Sequence, residues 1–538
     1  MPRPADLLAR LPLALAIGFG LLCVVFPLGA MLMETVLGPD GFTLGPWATI
    51  LATEVDRQQL MASVGLGLVS VGVAVCFGFG HAWLTTATDL PGARVLGPLG
   101  IAPLVIPPIL VAMGFADFAP ASGFWFCALL LGTSYAPFVA VMTARGLRAV
   151  DGRGYEAAML SRGRGPAEGL LLRSILPEIA AGCLFAFLFV ISEHGVPEFL
   201  TVKGKAWHTY AEGVFGRWTR RATGVAHEDV VSPIVAAVPL IAITSLALWT
   251  ALRFRARSAL RSDFRPLPTR ELGRWRLPAL LLPTTYLACG VGVPIFVMLR
   301  WAMGSTQTRE PMSVDILRRS FRAAVEQSGD DLSYTLLLAL LTTGLLLAVS
   351  IPAARAAARR FPALDQIAVL PIAVPAVLLA IGFVKVFNSP LAGSIYDAVG
   401  YDLYDSMGVV GCAYAARFLP FGVLTLSQAV RRLPRSAEDA ALLTGRNAVA
   451  RGLRIHLPAM APAIWSVACL GFVLAARELD VAVVLPAGND TVVRRLSNIV
   501  HFGGEDAGGA LALMLLVVVT SLPILTVLLT GRKLRPLS

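Results

Sequence analysis

The chain has 538 residues, of which 56% are hydrophobic and only 15% charged, with a mean hydropathy of +0.72. That composition excludes a soluble globular protein and places the chain in a bilayer. The formal net charge of +11 does not imply a nucleic-acid partner, because the arginines gather in polar segments between apolar runs and follow membrane topology.

Apolar runs of about twenty residues, enough to cross a roughly 30 Å hydrocarbon core, occur at 11–33, 60–84, 95–118, 121–144, 177–199 and 230–252. Six more follow at 277–303, 333–354, 364–387, 405–430, 459–485 and 508–530. Together they predict an all-α integral membrane protein of about twelve transmembrane helices. The first run is too long for a signal-peptide core, and no clear cleavage site interrupts it before Glu34, so it is kept as a span. Cys23, Cys76, Cys127, Cys183, Cys289, Cys412 and Cys469 all fall inside predicted spans, at spacings that match no metal or redox motif.

With the N-terminus inside, most Lys and Arg residues lie on the cytoplasmic side, densest in Arg145–Arg173, Arg253–Arg276 and Arg431–Arg454. An even number of spans returns Arg532, Lys533 and Arg535 to the same side, so both termini are expected in the cytoplasm. For the 253–276 segment the expectation is that the charges hold topology and touch anionic lipid headgroups.

The chain repeats itself. Pro103-Leu-Val-Ile-Pro107, then Ala112, Gly114 and Phe115, is echoed at one constant offset by Pro371-Ile-Ala-Val-Pro375, then Ala380, Gly382 and Phe383. Further on, Pro137-Phe138 matches Pro420-Phe421, Arg148 matches Arg431, Glu156-Ala157-Ala158 matches Asp439-Ala440-Ala441, and Leu176-Pro177 matches Leu457-Pro458. Prolines, glycines and charges in the same order mark a duplication. Two six-span halves share one orientation and imply a pseudo-twofold axis along the membrane normal, with substrate passing along it. The paired prolines of spans three and nine mark either a packing kink or backbone that lines a water-filled path.

Between spans four and five, Glu156-Ala-Ala-Met-Leu-Ser-Arg-Gly163 runs on to Ile175-Leu-Pro177; between spans ten and eleven, Asp439-Ala-Ala-Leu-Leu-Thr-Gly445 runs on to Ile455-His-Leu-Pro458. Small alanines permit close approach to a partner, glycine permits a turn, and proline is suited to starting the next helix. These segments resemble the "EAA" loop of permeases from ATP-binding-cassette (ABC) importers. The first copy departs from the pattern, with Arg162 at the glycine position, Gly163 one residue later and a longer stretch to Pro177, so its bend is expected to differ.

The resemblance implies a type I importer-like permease. Residues 1–256 form a first half of six spans with a coupling loop at about 145–176. Residues 257–276 form a basic cytoplasmic linker, and 277–538 a second half with a coupling loop at about 431–458. It also implies a cytoplasmic ABC ATPase dimer docked near 156–164 and 439–447. The coupling residues would be Glu156, Ala157, Ala158, Gly163, Pro177, Asp439, Ala440, Ala441, Gly445 and Pro458.

The same resemblance implies an extracytoplasmic solute-binding protein meeting loops such as 34–57, 200–229, 304–332 and 486–506. The location implied is the bacterial inner membrane. No cofactor is expected on the chain itself, because no Gly-x-x-x-x-Gly-Lys-Ser/Thr phosphate loop occurs and the four lysines (Lys203, Lys205, Lys385, Lys533) lie in other contexts. ATP would be used by the partner.

Fusion of two halves is similar to the ferric-iron and thiamine importers. Ile191-Ser-Glu193-His-Gly195-Val-Pro197 and Arg477-Glu478-Leu479 look more like the ferric-iron type. Thiamine or another small solute, such as a phosphonate or polyamine, is the alternative cargo. An ion-coupled secondary transporter would also show a parallel repeat, but not the paired coupling loops. An integral-membrane enzyme would need a clustered acid, base or metal set, and no His-x-x-His, Ser-x-x-Lys or phosphate-binding signature is present.

Five ionisable residues within or beside the spans stand out, because such groups are expensive in hydrocarbon. Asp117 and Lys385 are repeat equivalents, as are Glu193 and Glu478, and Asp480 lies two residues beyond. They either line the translocation path, with carboxylates suited to a hard cation, or pair internally, for instance Asp117 with Lys385 and Arg477 with Glu478, or sit at the outer interface.

Overall fold

The computed structural model describes residues 4–38, 41–48, 50–118, 122–202, 207–222, 233–255, 265–304, 312–359, 361, 363–368, 370–433, 451–485, 490–502 and 505–530. Among them, nine helices are long and apolar enough to cross a membrane: Leu11–Met33, Glu54–Ala87, Phe124–Ala149, Arg164–Ser192, Pro278–Met303, Val314–Arg359, Met407–Arg431, Arg454–Ala476 and Gly508–Leu525. Two sharply bent helix pairs raise the number to eleven. The sixth expected span is occupied by a shorter apolar helix, Ile234–Thr250. Strand among the described residues is confined to a two-residue antiparallel pair, Leu37–Gly38 with Gly41–Phe42. The protein is therefore an all-α, multi-pass membrane protein. The C-terminal Arg532, Lys533 and Arg535 lie outside the described residues.

The bent pairs fall on the repeated prolines. Ala93–Val105 meets Pro108–Asp117 at 91°, and Leu364–Ala373 meets Ala376–Phe387 at 99°. The residue before a proline is driven out of the helical region, and Ile106, ahead of Pro107, is extended at φ −85°, ψ 125°. Pro375 caps the next helix at φ −52°, ψ 140°. These are right-angle breaks in spans three and nine rather than packing kinks.

Other prolines are absorbed without a break. One-turn π segments at Leu21–Val25, Ala288–Gly292 and Gly452–His456 stand just before Pro27, Pro294 and Pro458. The wider turn relieves the clash of the proline ring with the preceding turn. Pro458 is the second residue of Leu457–Ala476, which continues directly from the π turn Gly452–His456. Pro177 does not start a helix; it lies inside Arg164–Ser192, which begins directly after Gly163.

Two compact units divide the chain, and their boundaries differ from those of the repeat. One unit joins the first span to residues 330–494 and to the stretch from Val517 onward; the other comprises residues 48–329 together with 495–516. Within the first, Pro27 packs on Gly382, where an added Cβ would lie 2.9 Å from the Pro27 Cβ. Within the second, Pro294 packs on Gly114, where an added Cβ would lie 3.2 Å from the Pro294 Cα. The repeated glycine of spans three and nine is thus a contact point for the proline of the opening span from the other sequence half. Tyr135, Tyr414, Phe383, Phe418 and Phe472 are fully buried in these units, while Leu68, Leu281 and Val517 are exposed, as suits side chains facing lipid.

Candidate functional site

Buried carboxylates stand where spans five and eleven stop. Helix Arg164–Ser192 ends at Glu193, whose backbone turns extended at φ −70°, ψ 128°, and a short helix, Gly195–Val202, follows. Glu193 is buried, and the Tyr135 hydroxyl, itself buried on Phe124–Ala149, donates to its Oε2 at 2.8 Å. Stacking of Tyr135 on Phe189, with ring centroids 5.3 Å apart, holds the phenol in place.

The second half builds the same junction with different chemistry. Helix Leu457–Ala476 stops at Arg477, and Asp480–Val484 resumes after the break. Arg417, on Met407–Arg431, donates to Glu478 Oε1 and, at 3.2 Å, to Asp480 Oδ2. The Val481 backbone N–H also donates to Glu478 at 3.0 Å. All three charged side chains are buried. Aligned on Pro137 and Pro420, Arg417 stands opposite Ser134, and Phe418 opposite Tyr135. The partner of Glu193 is thus a phenol and that of Glu478 a guanidinium.

Asp117 is half-buried and is taken by Arg300 of the seventh span, with Trp301 Nε1 donating at 3.1 Å. Lys385 is half-buried in the last turn of Ala376–Phe387, where the helix dipole favours a cation. Asp117 is thus hydrogen-bonded to Arg300, and Glu478 to Arg417. Arg300 and Trp301 carry no motif. Arg417 was detectable as an arginine within an apolar span, which requires a carboxylate. Among the described residues, no cluster of three or more His, Cys, Asp or Glu side chains could hold a metal ion.

The loop between spans four and five is a helix, Gly152–Arg162, capped by Asp151, whose side chain accepts from Arg153 N–H at 3.1 Å. Tyr155 is the buried residue that seats it, in an apolar cluster with Ala87, Leu147, Ala167, Leu171 and Ile175. On its free side Ala157 is exposed and Leu160 is 90% exposed, while Ala158 is half-buried. Glu156 is half-buried and pairs with Arg265 at 3.1 Å. Gly163 ends the helix at φ +80°, a conformation that favours glycine. Arg162 is simply the last helical residue, so the displaced glycine lengthens the helix before the turn. In the second loop, Asp439, Ala440, Ala441 and Gly445 lie outside the described residues.

The segment after span five forms a further helix, Tyr210–Ala222, with reciprocal capping. Thr209 N–H donates to Glu212 Oε2 at 2.5 Å, and Glu212 N–H donates to Thr209 Oγ1 at 3.3 Å. Burial pushes the Glu212 carboxyl above its ordinary pKa and the Tyr210 hydroxyl up to about 12. Arg217 pairs with buried Asp56, anchoring this helix to Glu54–Ala74.

No family model matches the chain. It is 23% identical over 490 residues to the Fe(3+)-transport system permease protein FbpB 2 of Haemophilus influenzae, covering 87% of this chain and 88% of that protein. It is also 30% identical over 101 residues to the diacetylchitobiose uptake system permease protein DasC of Streptomyces coelicolor, covering 18% of this chain and 37% of that protein. The chain is similar to transport permeases. That likeness, running nearly end to end with the first relative, supports a non-enzymatic permease subunit for a multi-pass membrane protein with these buried charges and this exposed loop helix.

Proposed function

We propose that the chain is the membrane permease of an ABC importer in the bacterial inner membrane, with both termini cytoplasmic. It would form the translocation path for ferric iron and take its energy from a separate cytoplasmic ATPase dimer. One observation carries this reading: a short helix, Gly152–Arg162, seated by Tyr155 and ended by Gly163, presents Ala157 and the 90% exposed Leu160 from the loop whose sequence resembles the coupling loop. A large apolar side chain held out on a fixed helix suits insertion into a cleft of a partner. Near-full-length likeness to an Fe(3+)-transport permease favours ferric iron, and an extracytoplasmic binding protein would deliver it.

Glu193, Glu478 and Asp480 stand at helix breaks, where backbone away from helix is tolerated beside a cavity. They are proposed to shape the path, with Arg417 and Tyr135 holding them. Asp117 and Lys385 are proposed to flank it. A shorter stretch of likeness to a diacetylchitobiose permease makes a sugar the second cargo to test.

The test is co-purification with a candidate ABC ATPase from the same organism, followed by reconstitution with a candidate solute-binding protein. Leu160→Glu is expected to abolish ATPase retention while the bundle remains folded, and ferric-loaded binding protein is expected to stimulate hydrolysis of the wild-type complex. Retention of the ATPase by the Leu160 variant would overturn the docking assignment; stimulation by a sugar-loaded protein alone would overturn the cargo.

A further inference from the structure

Residues 265–276 join the two sequence halves, and Arg265, Arg270 and Arg276 all make contacts within the protein. Arg270 N–H donates to the Ala87 carbonyl at 3.0 Å, and Asp89 N–H donates to the Arg270 carbonyl at 3.0 Å, forming a parallel bridge opposite Thr88. Leu272 N–H donates to Asp89 Oδ1 at 2.9 Å, and Arg276 Nε to the Asp89 carbonyl at 3.1 Å. The segment is thereby stitched to the loop between spans two and three.

Its other edge holds the loop helix Gly152–Arg162. Gly152 N–H, an unpaired donor of the first helical turn, donates to the Arg265 carbonyl at 2.8 Å. Arg265 pairs with Glu156 at 3.1 Å. The Arg270 guanidinium, with only 15% of its side chain exposed, donates to the Tyr155 hydroxyl at 3.0 Å and pairs with Glu168 at 3.4 Å. Its Cζ lies over the Trp83 ring, 4.7 Å from the centroid. Leu267 packs on the apolar cluster that seats Tyr155. The backbone passes so close that a Cβ on Gly152 would lie 2.5 Å from the Pro266 carbonyl oxygen and 2.9 Å from that of Arg265.

We propose that residues 265–276 are a strap that fixes the first loop helix to the base of the second, third and seventh spans, with Arg270 as its positioning residue. Arg276 lies two residues before Pro278–Met303, so a displacement of the loop helix is carried to the foot of the seventh span through a chain of hydrogen bonds. A planar guanidinium fits the task because it stacks on Trp83 while its edges reach Tyr155 and Glu168. The value of the strap for coupling rests on the importer reading above; its hold on the helix does not.

Hydrogen exchange on the full chain in lipid nanodiscs, without any ATPase, tests the hold. Arg270→Ala is expected to accelerate exchange across 152–162 about tenfold, by loss of hydrogen bonds to a charged group, with Met407–Arg431 unaffected. Arg270→Lys keeps the charge but not the plane, and should fall between. Gly152→Ala, whose added Cβ would press first on the strap, should reproduce the Arg270→Ala pattern. Unchanged protection of 152–162 in both Arg270→Ala and Gly152→Ala overturns the proposal, and so does uniform acceleration along the whole chain. In the ATPase complex, the same variants should lower transport per ATP hydrolysed; local loosening in a chain that binds no ATPase would keep the strap and remove the importer reading.

Discussion

Arg417 holds two buried carboxylates, and its removal leaves Glu478 and Asp480 without their shared cation in the interior. Breaking a buried pair by deleting one partner costs about 3–5 kcal/mol. For a unit of this size, about 2–4 °C per kcal/mol places the expected fall in melting temperature for Arg417→Met at about 6–20 °C. Tyr135→Phe removes one hydrogen bond to a carboxylate, worth about 1.5–3 kcal/mol, and should cost less. The triple variant Arg417→Met, Glu478→Gln, Asp480→Asn removes cation and anions together and should recover most of the loss. Thermal unfolding of the purified chain in lipid, followed by intrinsic fluorescence, measures all three. An Arg417→Met variant as stable as wild type, or a triple variant no better than the single, would refute the view that this ion triad secures the break in span eleven. If the triple variant recovers stability but not transport, the carboxylates act in the path as well.

Glycine at 382 is required by Pro27, so Gly382→Ala should destabilise by about 1–3 kcal/mol. Gly114→Ala, with its nearest atom 3.2 Å away, should cost less, and Gly393→Ala, which meets nothing within 4 Å, should be near neutral; equal melting temperatures for all three would disprove the contact. Burial raises the Glu212 pKa above its ordinary 4.5, so its contribution is fully present below the unfolded value and is lost as pH rises through the folded one. Glu212→Gln keeps an acceptor for Thr209 N–H, and its advantage over wild type in melting temperature should grow from acid to neutral pH; parallel curves for the two proteins would count against the buried carboxylate.

Composition and period alone establish that the chain lies in a membrane and is helical, because burying twenty consecutive apolar residues leaves few other solutions. The proline pairs and the loop helix are also legible, since each rests on residues close together in sequence. Pro103 and Pro107 locate the break in span three, but not its right angle. Gly114 and Gly382 are visible as a repeated pair, yet nothing local says that the proline pressing on each comes from the other sequence half. The basic linker reads only as charge in sequence; that Asp89, Trp83, Tyr155 and Glu168 meet it is decided by the fold. Carboxylates at span ends announce that they need partners; which of several arginines answers is decided by packing, because Arg417 and Arg300 reach their acids across helices far apart in the chain. Hydropathy acts along the chain and can be read there, whereas a hydrogen bond depends on a few tenths of an ångström between segments that only the folded bundle brings together.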